Sequence, residues 1–148
     1  MKKTVRARFP KVRQLATGEL ANWLQDSQRV PPLLLDVRKP EEFAVSHLSR
    51  AIQVDPEATA PDLLRLAATN QPIVVYCSVG YRSSALAARL MAAGFTNVYN
   101  LEGSIFAWAN EQRPLERDGK LVKEVHPYNA AASRMLQVDY RAKVPAVK

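Results

Sequence analysis

The chain alternates short apolar runs with amphipathic stretches. Leu33-Leu34-Leu35-Asp36-Val37 and Ile73-Val74-Val75-Tyr76 are almost unbroken apolar runs, the pattern of strands covered on both faces of a parallel sheet. Residues 12–15, 51–54 and 98–101 read as further strands. Helical patterns lie between them. Thr17 is placed to cap a helix with Glu19 in its first turn and Leu20, Trp23 and Leu24 on one face, broken by residues 29–32. Pro40 suits the first turn of a short helix through Glu41, Glu42 and Phe43. After a loop over 56–61, residues 62–68 predict a helix with Leu63 and Leu66 or Ala67 inward. Residues 83–93 carry Leu86, Ala87 and Leu90 at helical spacing and end at Gly94. Ser104 is placed to cap a helix with Ile105, Trp108 and Ala109 on one side. Strands alternating with helices predict an α/β fold: a small open parallel sheet of about five strands, flanked by helices on both faces. Such sheets bind ligands beyond the carboxyl ends of their strands.

Past Pro114 the alternation fades. Asp118-Gly119 marks a turn, residues 120–125 read as extended, and a short helix capped by Asn129 with Ala132 and Leu136 on one side falls within 127–138. The stretch after Tyr140 is basic and is expected to be mobile. The predicted organisation is a basic segment over 1–11, a domain over 12–115 and an extension over 116–148. The 148 residues suit one domain with modest extensions.

Charge sharpens this division. The net charge is +7, but residues 1–16 hold six basic and no acidic side chains, residues 17–115 a net −2, and residues 116–148 a net +3. The basicity belongs to the ends, where it offers contact with an acidic protein partner or merely solubility. No nucleic-acid motif accompanies it, so nucleic acid is not the expected partner. No apolar run is long enough to cross a bilayer. The basic start lacks the apolar core of a secretory signal. A single cysteine rules out an intramolecular disulfide and a multi-cysteine metal site. A reducing cytoplasm is the expected location, with no metal and no cofactor.

That cysteine stands at the most informative point of the chain. Ile73-Val74-Val75-Tyr76 stops at Cys77; Ser78, Val79, Gly80, Tyr81 and Arg82 follow, and a helix opens at Ser83. The amides of a tight loop entering a helix lack intrahelical partners and can converge into an anion-binding nest. A thiolate at its rim would be stabilised by those amides and by Arg82, and the thiolate is the nucleophilic form. Gly80 permits a backbone angle that a side chain opposes. The alternative is that Cys77 is a small buried hydrophobe. Asp36 and Arg38 end the preceding apolar strand, where a buried carboxylate needs a partner. His47 would join the chemistry only within hydrogen-bond reach of Cys77.

Three stretches together resemble the single-domain rhodaneses, a sulfurtransferase family. Leu35 to Phe43 with His47-Leu48 is similar to the family's first signature, Cys77 to Ser83 to its active-site loop, and Asn100 to Ser104 with Trp108 to its closing signature. The chain departs from the pattern at Ser49-Arg50, where Pro-Gly is usual. The resemblance implies a rhodanese-like sheet, Cys77 as the catalytic nucleophile and residues 78–83 as the loop that binds the persulfide. It gives Asp36, Arg38 and His47 supporting, structural roles. It implies transfer of sulfur from thiosulfate or a similar small-molecule donor to cyanide or a thiol. A sulfur-relay or regulatory binding module is the alternative. A thiol-dependent phosphatase or arsenate reductase is a further one, against which the loop has four residues between Cys77 and Arg82, where thiolate phosphatases have five. Tyr81 brings no charge, which weakens the case for thiosulfate itself, and Val79 gives the rim an apolar point suited to a protein or low-molecular-weight thiol.

Overall fold

The computed structural model describes residues 1–145. Five parallel strands form the central sheet: β1 (Arg13–Leu15), β2 (Leu33–Asp36), β3 (Ile52–Gln53), β4 (Ile73–Tyr76) and β5 (Val98–Leu101), in the order β1-β5-β4-β2-β3. Each apolar run became a strand because period-two alternation sends side chains to two covered faces. Val74 and Tyr76 point into one core with Leu20, Trp23, Leu101, Ile105 and Trp108. Ile73, Val75 and Cys77 point into the other with Leu63, Leu86, Ala87 and Leu90. Helices therefore cover both faces: α2 (Thr17–Gln25) and α6 (Ser104–Asn110) on the first, α4 (Ala60–Leu64) and α5 (Tyr81–Ala92) on the second.

The topology decides where the site falls. β2 and β4 are neighbours, paired Asp36 to Tyr76, but the chain leaves β2 toward β3 on one side and β4 toward β5 on the other. The departing connections open a crevice beyond the carboxyl ends of β2 and β4. Cys77 follows β4 there, and α3 (Pro40–Val45) follows β2.

Several sequence expectations are corrected. Ala16, not Thr17, precedes the first turn of α2; Glu19 accepts the Ala16 amide at 3.2 Å, and the Thr17 hydroxyl donates to Glu111 at 2.6 Å. Leu24 is 42% exposed, so the buried face of α2 is Leu20 and Trp23. α4 begins two residues before the expected start and ends at Leu64, because Thr59 caps it and Pro61 fits a first turn whose amide needs no partner. α5 begins at Tyr81, so Tyr81 and Arg82 belong to its first turn.

The ends pack more closely than their composition predicts. Within the basic segment, α1 (Lys2–Arg8) buries Val5, and Arg6 grips Glu102 through two hydrogen bonds of 2.6 and 2.7 Å. The hairpin β6 (Leu115–Arg117) and β7 (Lys120–Val122) turns at Asp118 and Gly119, both with positive φ. α7 (Ala130–Ser133) is capped by Asn129, whose Oδ1 accepts the Ala132 amide at 2.8 Å. Leu115, Val125, Ala132 and Leu136 join the first core. The stretch expected to be mobile after Tyr140 is tied down at its start: the Ala142 amide donates to the Val125 carbonyl at 3.0 Å, and Arg141 Nε to that of Leu136 at 2.9 Å. The rest of that expectation, residues 146–148, lies outside the described residues.

Candidate active site

Cys77 is held from three directions. Its amide donates to Ser104 Oγ at 3.2 Å, and its carbonyl accepts the Ile105 amide at 3.1 Å. The Phe106 amide donates to the Ser78 carbonyl at 3.1 Å. The orphan donors at the head of α6 thus clamp the loop. The Gly80 amide donates to Cys77 Sγ at 3.1 Å. Ser83 Oγ lies 3.3 Å from the sulfur and 2.5 Å from Asn100 Oδ1. A hydroxyl has one proton, and the shorter contact claims it. Gly80 has φ +106°, and a Cβ there would come within 3.3 Å of Asn100 Nδ2. Glycine is therefore what turns the amide onto the sulfur.

Arg82 does not stand free over the thiol. Its Nη1 and Nη2 bind the two oxygens of Glu42 at 2.9 Å each, Nη2 also reaches Ser78 Oγ at 2.9 Å, and the guanidinium lies 4.0 Å from the centroid of the Tyr128 ring. Glu42 is fully buried. Burial alone would raise its carboxyl, but hydrogen bonds from Arg82 and the Lys39 amide, with the charges of Arg82 and Arg38, hold it below the usual carboxylate range. Burial likewise works against the Arg82 charge, and Glu42 and Cys77 more than offset it.

Cys77 is itself only 1% exposed. It forms the floor of a pocket of about 390 Å³, walled by Val79, Tyr81 and Arg82 on one side and by Tyr128, Ala131, Ala132 and Met135 on the other. A buried thiol with a preset amide on its sulfur, at the mouth of a parallel sheet, fits nucleophilic chemistry on a small donor. Residues 16–111 match the family model described as Rhodanese-like domain.

The chain belongs to the rhodanese-like domain family. It is similar to the thiosulfate sulfurtransferase GlpE of Stutzerimonas stutzeri, 31% identical over 57% of this chain and 87% of that one. It is also similar to a sulfurtransferase of Allochromatium vinosum, 34% identical over 70% of this chain and 94% of that one. Among solved structures, a rhodanese-like domain protein of Staphylococcus aureus is 29% identical with TM-score 0.59, over 75% of this chain and 97% of that chain. The BH2092 protein of Bacillus halodurans shares the fold at TM-score 0.70 and 20% identity, over 90% of this chain and 97% of that chain.

Within this rhodanese frame the structure brings Cys77, Ser78, Val79, Gly80, Tyr81, Arg82 and Ser83 together around the pocket or the sulfur. Asp36 and Arg38 form a separate pair below them, fully buried, with Arg38 Nε and Nη2 on the two carboxylate oxygens at 2.9 and 2.6 Å. His47 is held elsewhere: its backbone pairs with Glu116 of β6, its ring stacks on Phe43 at 4.1 Å, and its Nδ1 faces the Leu48 carbonyl at 2.9 Å.

Sequence reasoning missed Glu42, Asn100 and His126. Glu42 and Asn100 sit inside recognised motifs but look like ordinary helix and strand residues. His126 is buried in the extension, and its Nδ1 accepts the Tyr128 amide at 3.0 Å. The neutral ring therefore carries its proton on Nε2. Burial lowers its pKa below the ordinary 6.5, helped by Arg38 and opposed by Glu42, Glu41 and the Pro145 carbonyl. The unfolded chain then takes up a proton that the folded chain refuses, so this contribution is complete above the ordinary value and shrinks as pH falls through it. Thermal melts should drop between about pH 8 and about pH 5.5, and His126→Gln should flatten that slope. Equal slopes with and without His126 would remove the histidine from the account.

Proposed function

We propose that the chain moves a sulfane sulfur from thiosulfate or a similar donor to cyanide or a thiol through a Cys77 persulfide. The observation that carries this is the Gly80 amide aimed at Cys77 Sγ at 3.1 Å, at the floor of an open pocket. The Cys77 thiolate attacks the outer sulfur of the donor. The donor's S–S bond breaks with its electron pair on the leaving group, sulfite when the donor is thiosulfate, and Cys77 keeps a terminal S⁻. The Gly80 amide already on the sulfur, with the amides that head α5 and lack intrahelical carbonyls, would stabilise that charge. Cyanide or a thiolate then takes the outer sulfur and regenerates the Cys77 thiolate, giving ping-pong kinetics.

The phosphatase reading fares worse. Its arginine must grip a phosphate, and here Nη1 and Nη2 of Arg82 are both bound to Glu42. The test is the intact mass after incubation with excess thiosulfate. Wild-type protein should gain one sulfur atom, lost again on adding cyanide, and Cys77→Ala should gain none. Cys77-dependent hydrolysis of an aryl phosphate with no sulfur uptake from any donor would end the proposal.

A further inference from the structure

The pocket above Cys77 is unlike one built for a small dianion. Arg82 is the one charged side chain among its described lining residues, and its charge is matched by the Glu42 carboxylate, bound bidentately in a buried position. The Met1 amino terminus also lines the pocket, so Arg82 itself brings little net charge to the sulfur and the remaining positive charge belongs to that terminus. A donor carrying two negative charges therefore gains little from Arg82. Ser78, Tyr81 and Asn129 add polar points, and most of the rest of the wall is apolar: the Met1 side chain, Val79, the Tyr128 ring, Ala131, Ala132 and Met135. The last four come from residues 128–135, beyond the 16–111 stretch that matches the family. This wall is held firmly, by the Asn129 cap on Ala132, by the His126–Tyr128 hydrogen bond and by the Tyr128 ring against Arg82. A pocket of about 390 Å³ is larger than thiosulfate needs.

We propose that the preferred donor is an organic persulfide, a sulfane sulfur on an apolar body, with the body against the 128–135 wall and thiosulfate a poor substitute. This rests on the persulfide chemistry proposed above. In the transfer, the Cys77 thiolate bonds to the outer sulfur of R–S–SH, and the S–S bond of the donor breaks. R–S⁻ leaves with the electron pair, and the proton stays on the transferred sulfur as Cys77–S–SH. No outside oxidant or reductant is needed.

Stable thiosulfonate anions, R–SO₂–S⁻, separate charge from apolar contact. Steady-state kcat/KM should be compared for thiosulfate, methanethiosulfonate and benzenethiosulfonate with one acceptor. The expected order rises from thiosulfate to methanethiosulfonate to benzenethiosulfonate, each step roughly tenfold or more. Ala131→Lys adds a cation at an exposed position of the wall, and Glu42→Gln leaves the Arg82 charge unmatched. Each should raise kcat/KM for thiosulfate while lowering the benzenethiosulfonate preference, a gain that misfolding cannot imitate. Thiosulfate equal to or better than benzenethiosulfonate in the wild type would overturn this inference and leave the persulfide mechanism standing. Absence of sulfur uptake from all three donors would overturn the mechanism as well.

Discussion

Cys77→Ser should lose sulfur-transfer turnover by ~10⁴-fold or more, the scale of loss when a covalent nucleophile is removed. Serine preserves the shape of the site and an acceptor for the Gly80 amide, so the hydrogen bond now made to Sγ at 3.1 Å keeps a partner. Its hydroxyl is not deprotonated near neutral pH and cannot hold a second sulfur as a persulfide. The folded state should survive: one atom changes in a place that already satisfies a polar group, and unfolding free energy should move by no more than about 1 kcal/mol. Both quantities are measurable on one preparation, thiocyanate formation for turnover and denaturant unfolding for stability. Turnover within a few-fold of wild type would show that sulfur passes through the protein without residing on Cys77.

The same residue shows how far a linear sequence carries. The strand that stops at Cys77, the glycine after it and the helix beyond are local features, each set by a few neighbouring residues. They were legible for that reason, as were the apolar faces of α5 and α6. Glu42 was not. It meets Arg82 across 40 positions of chain, and nothing in Pro40-Glu41-Glu42-Phe43 tells which glutamate turns inward. Once folded, Glu42 is buried and Glu41 exposed. The change matters chemically, because Arg82 shifts from a free anion-binding cation to half of a neutral pair.

The 116–145 region was obscure for a different reason. Its buried apolar residues are few: only Ala132 and Leu136 keep a helical spacing, while Val125 and Ala142 stand apart from them and from each other. Val125, Ala132 and Leu136 pack into the first core. Their placement depends on partners such as the Ser46 hydroxyl, which donates to the Glu124 carbonyl at 2.6 Å, and Asn110, which donates to that of Met135 at 2.8 Å. The short helix expected within 127–138 was thus legible, but its place as a wall of the pocket was not.

Asp36→Ala should be the most destabilising single change near the site, by ~3–5 kcal/mol. Asp36 and Arg38 are both fully buried. Asp36 Oδ1 accepts the Arg38 amide at 3.1 Å as well as Nε at 2.9 Å, and Arg38 Nη2 continues to the Ser46 carbonyl at 2.7 Å. Burial opposes the Arg38 charge, and Asp36 overcomes it, so the guanidinium stays charged. Removing the carboxylate leaves a buried cation with only the Ser46 carbonyl, the Tyr76 ring and the Glu42 charge for support, a penalty comparable to much of the ~5–15 kcal/mol that stabilises a typical domain. The penalty comes from the unpaired partner rather than from the attraction itself, since the pair repays little beyond its own desolvation. The double variant Asp36→Ala with Arg38→Met should therefore be more stable than Asp36→Ala alone. Denaturant unfolding of the wild type, the two single variants and the double variant closes the cycle. A loss below about 1 kcal/mol in Asp36→Ala, or no recovery in the double variant, would mean that β2 is anchored by something other than this pair.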